Sequence, residues 1–402
     1  MLRPPLDPSL FDLDSNRLWV MHCSEGPVPK ASLEAVHAFL PKESRPWSLR
    51  WAEDFLAIPE STKREAAKLL GTRPEDISLT ATTSSGLQVV AQGFPWQEGD
   101  EVLAPLGEFP SNVWPWKSLA SRGVSFREVP LWEGHQSGVG AWTSSPPPPD
   151  ADAETRLLDS LTDRTKILAL SWVRFQDGLK LDLPWLGSAC RERGVHLVVD
   201  GIQGLGTHTP DLAGVSAFAT GGHKGLLAPQ GLGFLWTEAT FRSMLAPVGT
   251  WLSVEDGTDF TRPSTDFHRH WLADGRRLEP GSPSLLGCVA LNASLACLNG
   301  AEAGAIETHV RGLQDALLAD LATDPTWGAE AARLRGLWEE DRLGPILSFH
   351  HQGHGPDFLN GQLQAGFNQG VYASVREGYL RVAFHGLHTP SDAARVAAWL
   401  GG

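Results

Sequence analysis

Apolar positions recur along the chain in two rhythms. Short, nearly continuous apolar runs at Ile77 to Thr80, Glu101 to Pro105, Val124 to Val129, Lys166 to Trp172 and Val195 to Asp200 read as buried strands. Between them, apolar residues fall at helical spacing over Ala31 to Leu40, Trp51 to Leu70, Leu87 to Gln92, 153 to 161 and Pro184 to Gly194. Pro59 interrupts the second of these and Gly71 ends it where a helix C′ residue belongs, while Pro184 suits a first helical turn. Strands alternating with helices predict an α/β fold with a mostly parallel sheet, covered on both faces and binding ligands at the carboxyl ends of its strands.

Beyond Trp236 the rhythm loosens. Residues 249 to 276 are polar and aromatic, with Trp251, Phe260, His268, His270 and Trp271, and read as a long functional loop. Helical patterns at Leu285 to Leu298, Thr308 to Asp324 and Ser391 to Leu400, with strands at Gly344 to Phe349, Gly370 to Ser374 and Leu380 to Phe384, predict a smaller C-terminal α+β domain. The expected division is a large domain over 24–280 and a small one over 281–402 that also takes the proline-rich arm, 1–23. Residues 133 to 152, with the run Pro146 to Pro149, form a surface excursion.

Composition narrows the function classes. A chain of 402 residues exceeds one ordinary core, and its hydrophobic and charged fractions, 42% and 20%, are globular values. No apolar run approaches the roughly 18 residues of a membrane helix, and residues 1 to 7 show no basic region followed by an apolar one. A cytoplasmic protein without a membrane partner is therefore expected. A formal charge of −14 opposes nucleic acid as a partner and favours small-molecule chemistry. Cys23, Cys190, Cys288 and Cys297 have no ligand spacing, so neither a metal site nor a disulfide framework is expected.

The chemistry concentrates between Ile167 and Trp236. Leu197-Val-Val-Asp200 is a buried strand ending in a carboxylate, and Lys224 follows in the glycine-rich turn Thr220-Gly-Gly-His-Lys-Gly225. Lysine forms Schiff bases with carbonyl cofactors, and a carboxylate is the partner that a pyridinium nitrogen needs. The pair suggests pyridoxal 5′-phosphate. Thr83 and Ser84, with Ser85, sit where a helix start offers hydroxyls and free amides to a phosphate, although a plain helix cap explains them equally well. Phe109, at a strand-to-helix turn, is placed to stack on a planar ring or to serve as core.

Taken together, these residues resemble the class V aminotransferase family of fold-type I pyridoxal phosphate enzymes, which holds cysteine desulfurases, kynureninase and isopenicillin N epimerase. Four segments carry the resemblance in family order: Leu197-Val-Val-Asp-Gly-Ile-Gln203; Gly222-His-Lys224 with Pro229-Gln-Gly-Leu-Gly233; Glu279-Pro-Gly-Ser282; and Leu380-Arg-Val-Ala-Phe-His-Gly-Leu-His-Thr389. It implies Lys224 as the Schiff-base lysine, Asp200 at the pyridine nitrogen and Gln203 at the phenolic oxygen. It further implies Phe109 on the ring face, Thr83 and Ser84 at the phosphate, and Arg381 at the substrate α-carboxylate. Ser282 would reach the partner's cofactor phosphate in a homodimer with shared sites. The substrate would be an amino acid or amine, processed by transamination first, by carbon–sulfur lysis or epimerisation next, with a non-catalytic homologue as the other alternative. Departures disfavour a cysteine desulfurase: Phe109 replaces a histidine, and Gly370 to Leu380 contains no cysteine. Gly221 stands in place of a phosphate-binding serine, which would leave that contact to Thr220, and Thr82 replaces a glycine. Arg174 reads as an exposed arginine, with reading of a substrate acid group as the alternative.

Overall fold

The computed structural model describes residues 3–350 and 355–402, and every structural statement here concerns those residues. Twelve strands occur among them: β1 (Leu18–Trp19), β2 (Ile77–Thr80), β3 (Glu101–Pro105), β4 (Ser125–Val129), β5 (Thr165–Ser171), β6 (His196–Asp200), β7 (Val215–Gly221), β8 (Gly233–Thr237), β9 (Ile346–His350), β10 (Val371–Tyr372), β11 (Ser374–Arg376) and β12 (Tyr379–Ala383). Seven of them form one sheet in the order β2-β8-β7-β6-β5-β3-β4. Neighbours from β7 through β4 run parallel, and β8 is antiparallel to both β2 and β7.

Alternation along β5 explains why its interior, Ile167 to Leu170, is uniformly apolar. Ile167 and Ala169 join the core on one face with Leu87, Val90 and Phe241, while Leu168 and Leu170 join the core on the other with Leu197 and Phe218. A parallel sheet buried on both faces leaves no polar positions in its central strands. Two strands of this sheet escape the sequence pattern: β7 ends in Ala219-Thr-Gly221 and merges into the glycine turn that follows it, and β8 begins at Gly233 as the chain leaves that turn. The helices Gly328–Glu339 and Pro356–Asn368 likewise lie outside the predicted elements, each combining few apolar residues with glycine.

The C-terminal strands pair antiparallel in the order β11-β12-β9, with Ser374 opposite Arg381. The N-terminal arm is tied to this region, because β1 pairs with β10 through Leu18 and Trp19. Among the described residues no helix is long and apolar enough to cross a membrane.

Four buried histidines, His22, His208, His385 and His388, fasten the two regions behind the Lys224 turn. His385 Nε2 donates to the Gly225 carbonyl at 2.9 Å, and His385 Nδ1 accepts from the Gly386 amide at 2.8 Å. His388 Nε2 donates to the Trp19 carbonyl at 2.8 Å, and the edge of His22 meets His385 at 5.2 Å. Burial keeps all four rings neutral, and it pushes His385 down from 6.5 to about 4. An unfolded chain takes up protons below pH 6.5 that the folded chain refuses, so stability is lost as pH falls through this window. The His385 shift alone amounts to about 3 kcal/mol between pH 6.5 and 4. The urea midpoint is expected to fall steeply over that range, and His385→Asn is expected to flatten the fall; a midpoint independent of pH would refute the assignment.

Candidate active site

Parallel strands end together, and their ends define the site. Asp200 is the last residue of β6, and Lys224 sits on the turn that leaves β7 at Gly221. That turn is held by backbone packing too close for side chains. A Cβ on Gly26 would lie 2.2 Å from the Lys224 carbonyl oxygen, and one on Gly225 would lie 2.1 Å from that of Leu205. The Gly26 amide also donates to the His223 carbonyl at 2.7 Å, so the N-terminal arm clamps the lysine.

Electrostatics tune both groups. Asp200 is buried, which raises its carboxyl to about 7 against the opposing pull of the Ile202 amide at 3.0 Å and the Lys224 charge. Burial lowers Lys224, and Asp200 partly restores it. Lys224 Nζ lies 5.5 Å from the centre of the Phe109 ring, whose edge-to-face partner is Phe175 at 5.1 Å. Phe109 keeps 41% of its surface exposed, so its ring borders open space instead of filling the core.

Two buried oxygens in the same region have no hydrogen-bond partner. One belongs to Gln203, whose Nε2 donates to the Cys23 carbonyl at 3.1 Å while Oε1 is left unpaired. The other is the hydroxyl of Thr83, the first residue of the helix Thr83–Gly93. Thr82 caps that helix by accepting from the Ser85 amide, which leaves the amides of Thr83 and Ser84 without an intrahelical acceptor. Buried polar atoms are rarely left unpaired, and each orphan here marks where a polar ligand would bond. Pyridoxal phosphate fits this donor set, with Asp200 for its nitrogen, Gln203 for a ring substituent and the Thr83 helix start for its phosphate. Ser84 donates to Ser111 at 2.8 Å, and Thr220 donates to the Gly221 carbonyl at 3.2 Å, so both hydroxyls already have partners.

Arg381 closes the pocket from β12. Its Nε and Nη2 donate to Ser374 Oγ at 3.2 and 2.9 Å, and its Nη1 donates to the Phe175 carbonyl at 2.7 Å. Although 2% exposed, it has no carboxylate partner among the described residues, and burial lowers its pKa. Cys23 Sγ lies 4.0 Å from the same Ser374 hydroxyl, and its carbonyl accepts from Gln203, so Cys23 links Arg381's partner to Gln203.

One expectation is corrected. Arg174 is neither exposed nor available to a substrate: it is 2% exposed, and its guanidinium is consumed by Asp177 at 2.9 Å, the Leu106 carbonyl at 3.1 Å and His135 at 3.2 Å. Ser282 is exposed, and its expected contact is with a second copy. Its neighbour Pro283 lines a separate cavity of 680 Å³ with Phe55, Lys63 and Glu255. Sequence reasoning missed Glu108, Ser171, Phe175 and Ser374, four residues around the pocket. Only Glu108 carried a signal, a carboxyl directly before the singled-out Phe109. No group of histidine, cysteine or carboxylate side chains among the described residues could hold a metal ion.

The profile of the family described as Aminotransferase class-V matches residues 47–360. A probable cysteine desulfurase of Methanothermobacter thermautotrophicus is 27% identical over 62% of this chain and 58% of its own length. An uncharacterized protein of Schizosaccharomyces pombe is 31% identical over 65% of this chain and likewise 58% of its own. The matched stretch thus spans less than two thirds of these relatives. Among solved structures, the cystine C–S lyase C-DES, in complex with its reaction product cysteine persulfide, superposes with a TM-score of 0.81 at 20% identity, over 96% of this chain and 98% of its own. A cysteine desulfurase of Escherichia coli follows with a TM-score of 0.76 at 21% identity, over 98% and 96%. At such identities the likeness is one of fold.

Proposed function

The chain belongs to the class V aminotransferase family, and from that premise we propose that it is a pyridoxal phosphate enzyme that cleaves a carbon–sulfur bond at the β-carbon of an amino acid by elimination. The observation that carries this reading is the composition of the β11–β12 hairpin. Arg381 stands there as a buried guanidinium without a carboxylate, its partner Ser374 is spent on holding it, and no thiol occurs from Gly370 to Leu380. The pocket can anchor an amino acid but has no hairpin nucleophile to take its sulfur.

When bound, pyridoxal phosphate supplies an electron sink for the pair left at the substrate's α-carbon. The protein's own groups do the rest. Asp200 offers a carboxylate to the ring nitrogen, and a positive charge beside it reverses the upward shift that burial imposes. Lys224, lowered by burial, is a base suited to taking the α-proton. Arg381 presents a planar fork to the α-carboxylate and thereby orients the bond to be broken. Loss of the α-proton expels sulfur from the β-carbon without any protein nucleophile, and water releases pyruvate and ammonia. Gln203, Phe109, Thr83 and Ser84 are the residues proposed to hold the cofactor.

Transamination, first on the family label, gives way because three of the four similar proteins, a lyase and two desulfurases, are concerned with carbon–sulfur bonds. Those same names favour cysteine desulfurase as the second reading, for which Cys23 is the thiol nearest the pocket. We further propose a homodimer. Trp51, Phe55, Trp251 and Phe260 form an aromatic cluster that stays partly exposed, with Trp51 and Phe260 centred 4.7 Å apart, beside the cleft that Pro283 lines. A second copy covering it would bring the exposed Ser282 toward the other pocket.

Products decide among the chemistries. Incubation with cystine or cysteine is expected to give pyruvate and ammonia in equal amounts. Alanine with Cys23-dependent sulfur release would instead establish a desulfurase, and keto acid formed only beside a second keto acid would establish a transaminase. Borohydride reduction and peptide mapping should place the pyridoxyl group on Lys224. Arg381→Ala is expected to cost roughly 2 to 5 kcal/mol in kcat/KM with the cofactor spectrum unchanged, and near-normal kinetics would remove its role. For the shared site, mixed dimers of Lys224→Ala chains with chains carrying a bulky residue at 282 should regain activity that neither parent has.

A further inference from the structure

Glu108 is a buried carboxyl that the chemistry above does not use. It is 7% exposed and has no cationic partner among the described residues. Arg174, the nearest cation acting on it, is already spent on Asp177, Leu106 and His135. The contacts of Glu108 are all neutral. The Ser171 amide donates to Oε1 at 2.9 Å, the Ser171 hydroxyl lies 2.5 Å from Oε2, and Asn112 Nδ2 lies 3.4 Å from Oε2. The Asn112 orientation is fixed because its Oδ1 accepts from Trp116 Nε1 at 2.9 Å. Glu108 precedes Phe109, and Ser171 ends β5 directly opposite Asp200 in the parallel register. Two carboxyls therefore share one buried wall of the pocket, with Lys224 beyond Asp200 as the cation near it.

We propose that Glu108 is a positioning residue that remains a neutral carboxylic acid, pinning the Phe109 turn to the end of β5 and leaving the negative charge of that wall to Asp200. An ionised carboxylate buried without a cation is costly enough to take up a proton instead. Ser171 bonds Glu108 twice, through its amide and its hydroxyl, and so ties the residue before Phe109 to the end of β5. Burial also raises Glu108 above 4.5, against the opposing influence of Arg174 and Ser171. The share of the proposal that concerns Asp200 rests on the reading of Asp200 as partner of the cofactor nitrogen. The protonation of Glu108 does not.

The test accordingly begins on cofactor-stripped protein. Above pH 4.5 an unfolded chain releases the Glu108 proton that the folded chain retains, so wild type should lose stability relative to Glu108→Gln as pH rises from 4.5. Parallel melting curves of the two proteins against pH would overturn the proposal. Should Glu108→Gln not fold, infrared spectra of wild type labelled with ¹³C-glutamate serve instead. A glutamic-acid C=O stretch persisting at neutral pH is expected, and its absence overturns the proposal equally. In holoenzyme, Glu108→Ala should free the Phe109 turn and weaken cofactor affinity by roughly tenfold, with Glu108→Gln restoring it. An Ala variant with unchanged affinity would refute the pinning. If the pH and infrared results hold while no variant alters cofactor binding, the pinning of the Phe109 turn fails and the protonation of Glu108 stands.

Discussion

Backbone packed against backbone around Lys224 is the constraint on which the rest of the site depends. Three distant parts of the chain meet there. The arm contributes Gly26, with no room for a side chain against the Lys224 carbonyl; the segment after β6 contributes Leu205 and Gly206; and the C-terminal region contributes His385, bonded to the Gly225 carbonyl. Each contact needs either a missing Cβ or a neutral imidazole, so sequence and protonation state both specify the turn. The arm cannot leave without releasing the turn, because β1 and Gly26 lie on one short stretch. Fixing the lysine's peptide from three sides leaves its side chain as the movable part, which suits the proton transfer proposed for it.

Around this seam the protein keeps ionisable groups that have no oppositely charged hydrogen-bond partner among the described residues. Arg381 has hydroxyl and carbonyl partners but no carboxylate, and Asp200 accepts from a single amide. Several buried charges elsewhere are paired: Lys63 meets Glu279 at 2.7 Å, Arg242 meets Asp76 at 2.9 Å and Arg174 meets Asp177 at 2.9 Å. The contrast separates structural from ligand-directed groups better than residue type does. Arg174 and Arg381 are equally buried arginines flanking Phe175, yet only the second retains an unmet charge.

That contrast also marks how far the sequence could be read. The central strands were legible because a sheet buried on both faces requires continuous apolar runs, and Asp200 and Lys224 were legible because charge at the end of such a run is unusual. β7 was obscured by its own glycine terminus. Arg174 was misjudged because its fate depends on Asp177, three residues away, and on His135, in the segment expected to be a surface excursion; no local pattern encodes that pairing. Ser374 and Phe175 reach the pocket only through strand register and a turn, which spacing along the chain does not reveal. Ser282 marks another limit, since the contribution proposed for it to a second copy would leave no trace in the packing of one chain.

The proposed elimination turns on the hairpin from Val371 to Ala383. A residue at the Ser374 position could either hold Arg381 or act on the substrate, and the geometry favours the first of these, since its oxygen accepts from both Nε and Nη2. With that hydroxyl engaged and no thiol in the hairpin, the proposed substrate's sulfur meets no hairpin nucleophile, and the thiol next to this side is Cys23, 4.0 Å from the Ser374 hydroxyl. In the elimination proposed above the sulfur leaves on its own, which requires an electron pair delivered from the α-carbon and hence a well-aligned α-proton. Alignment is what a fixed guanidinium and a clamped lysine provide. The same anchoring that removes the nucleophile thus favours elimination, and the two features are consequences of one hydrogen-bond arrangement.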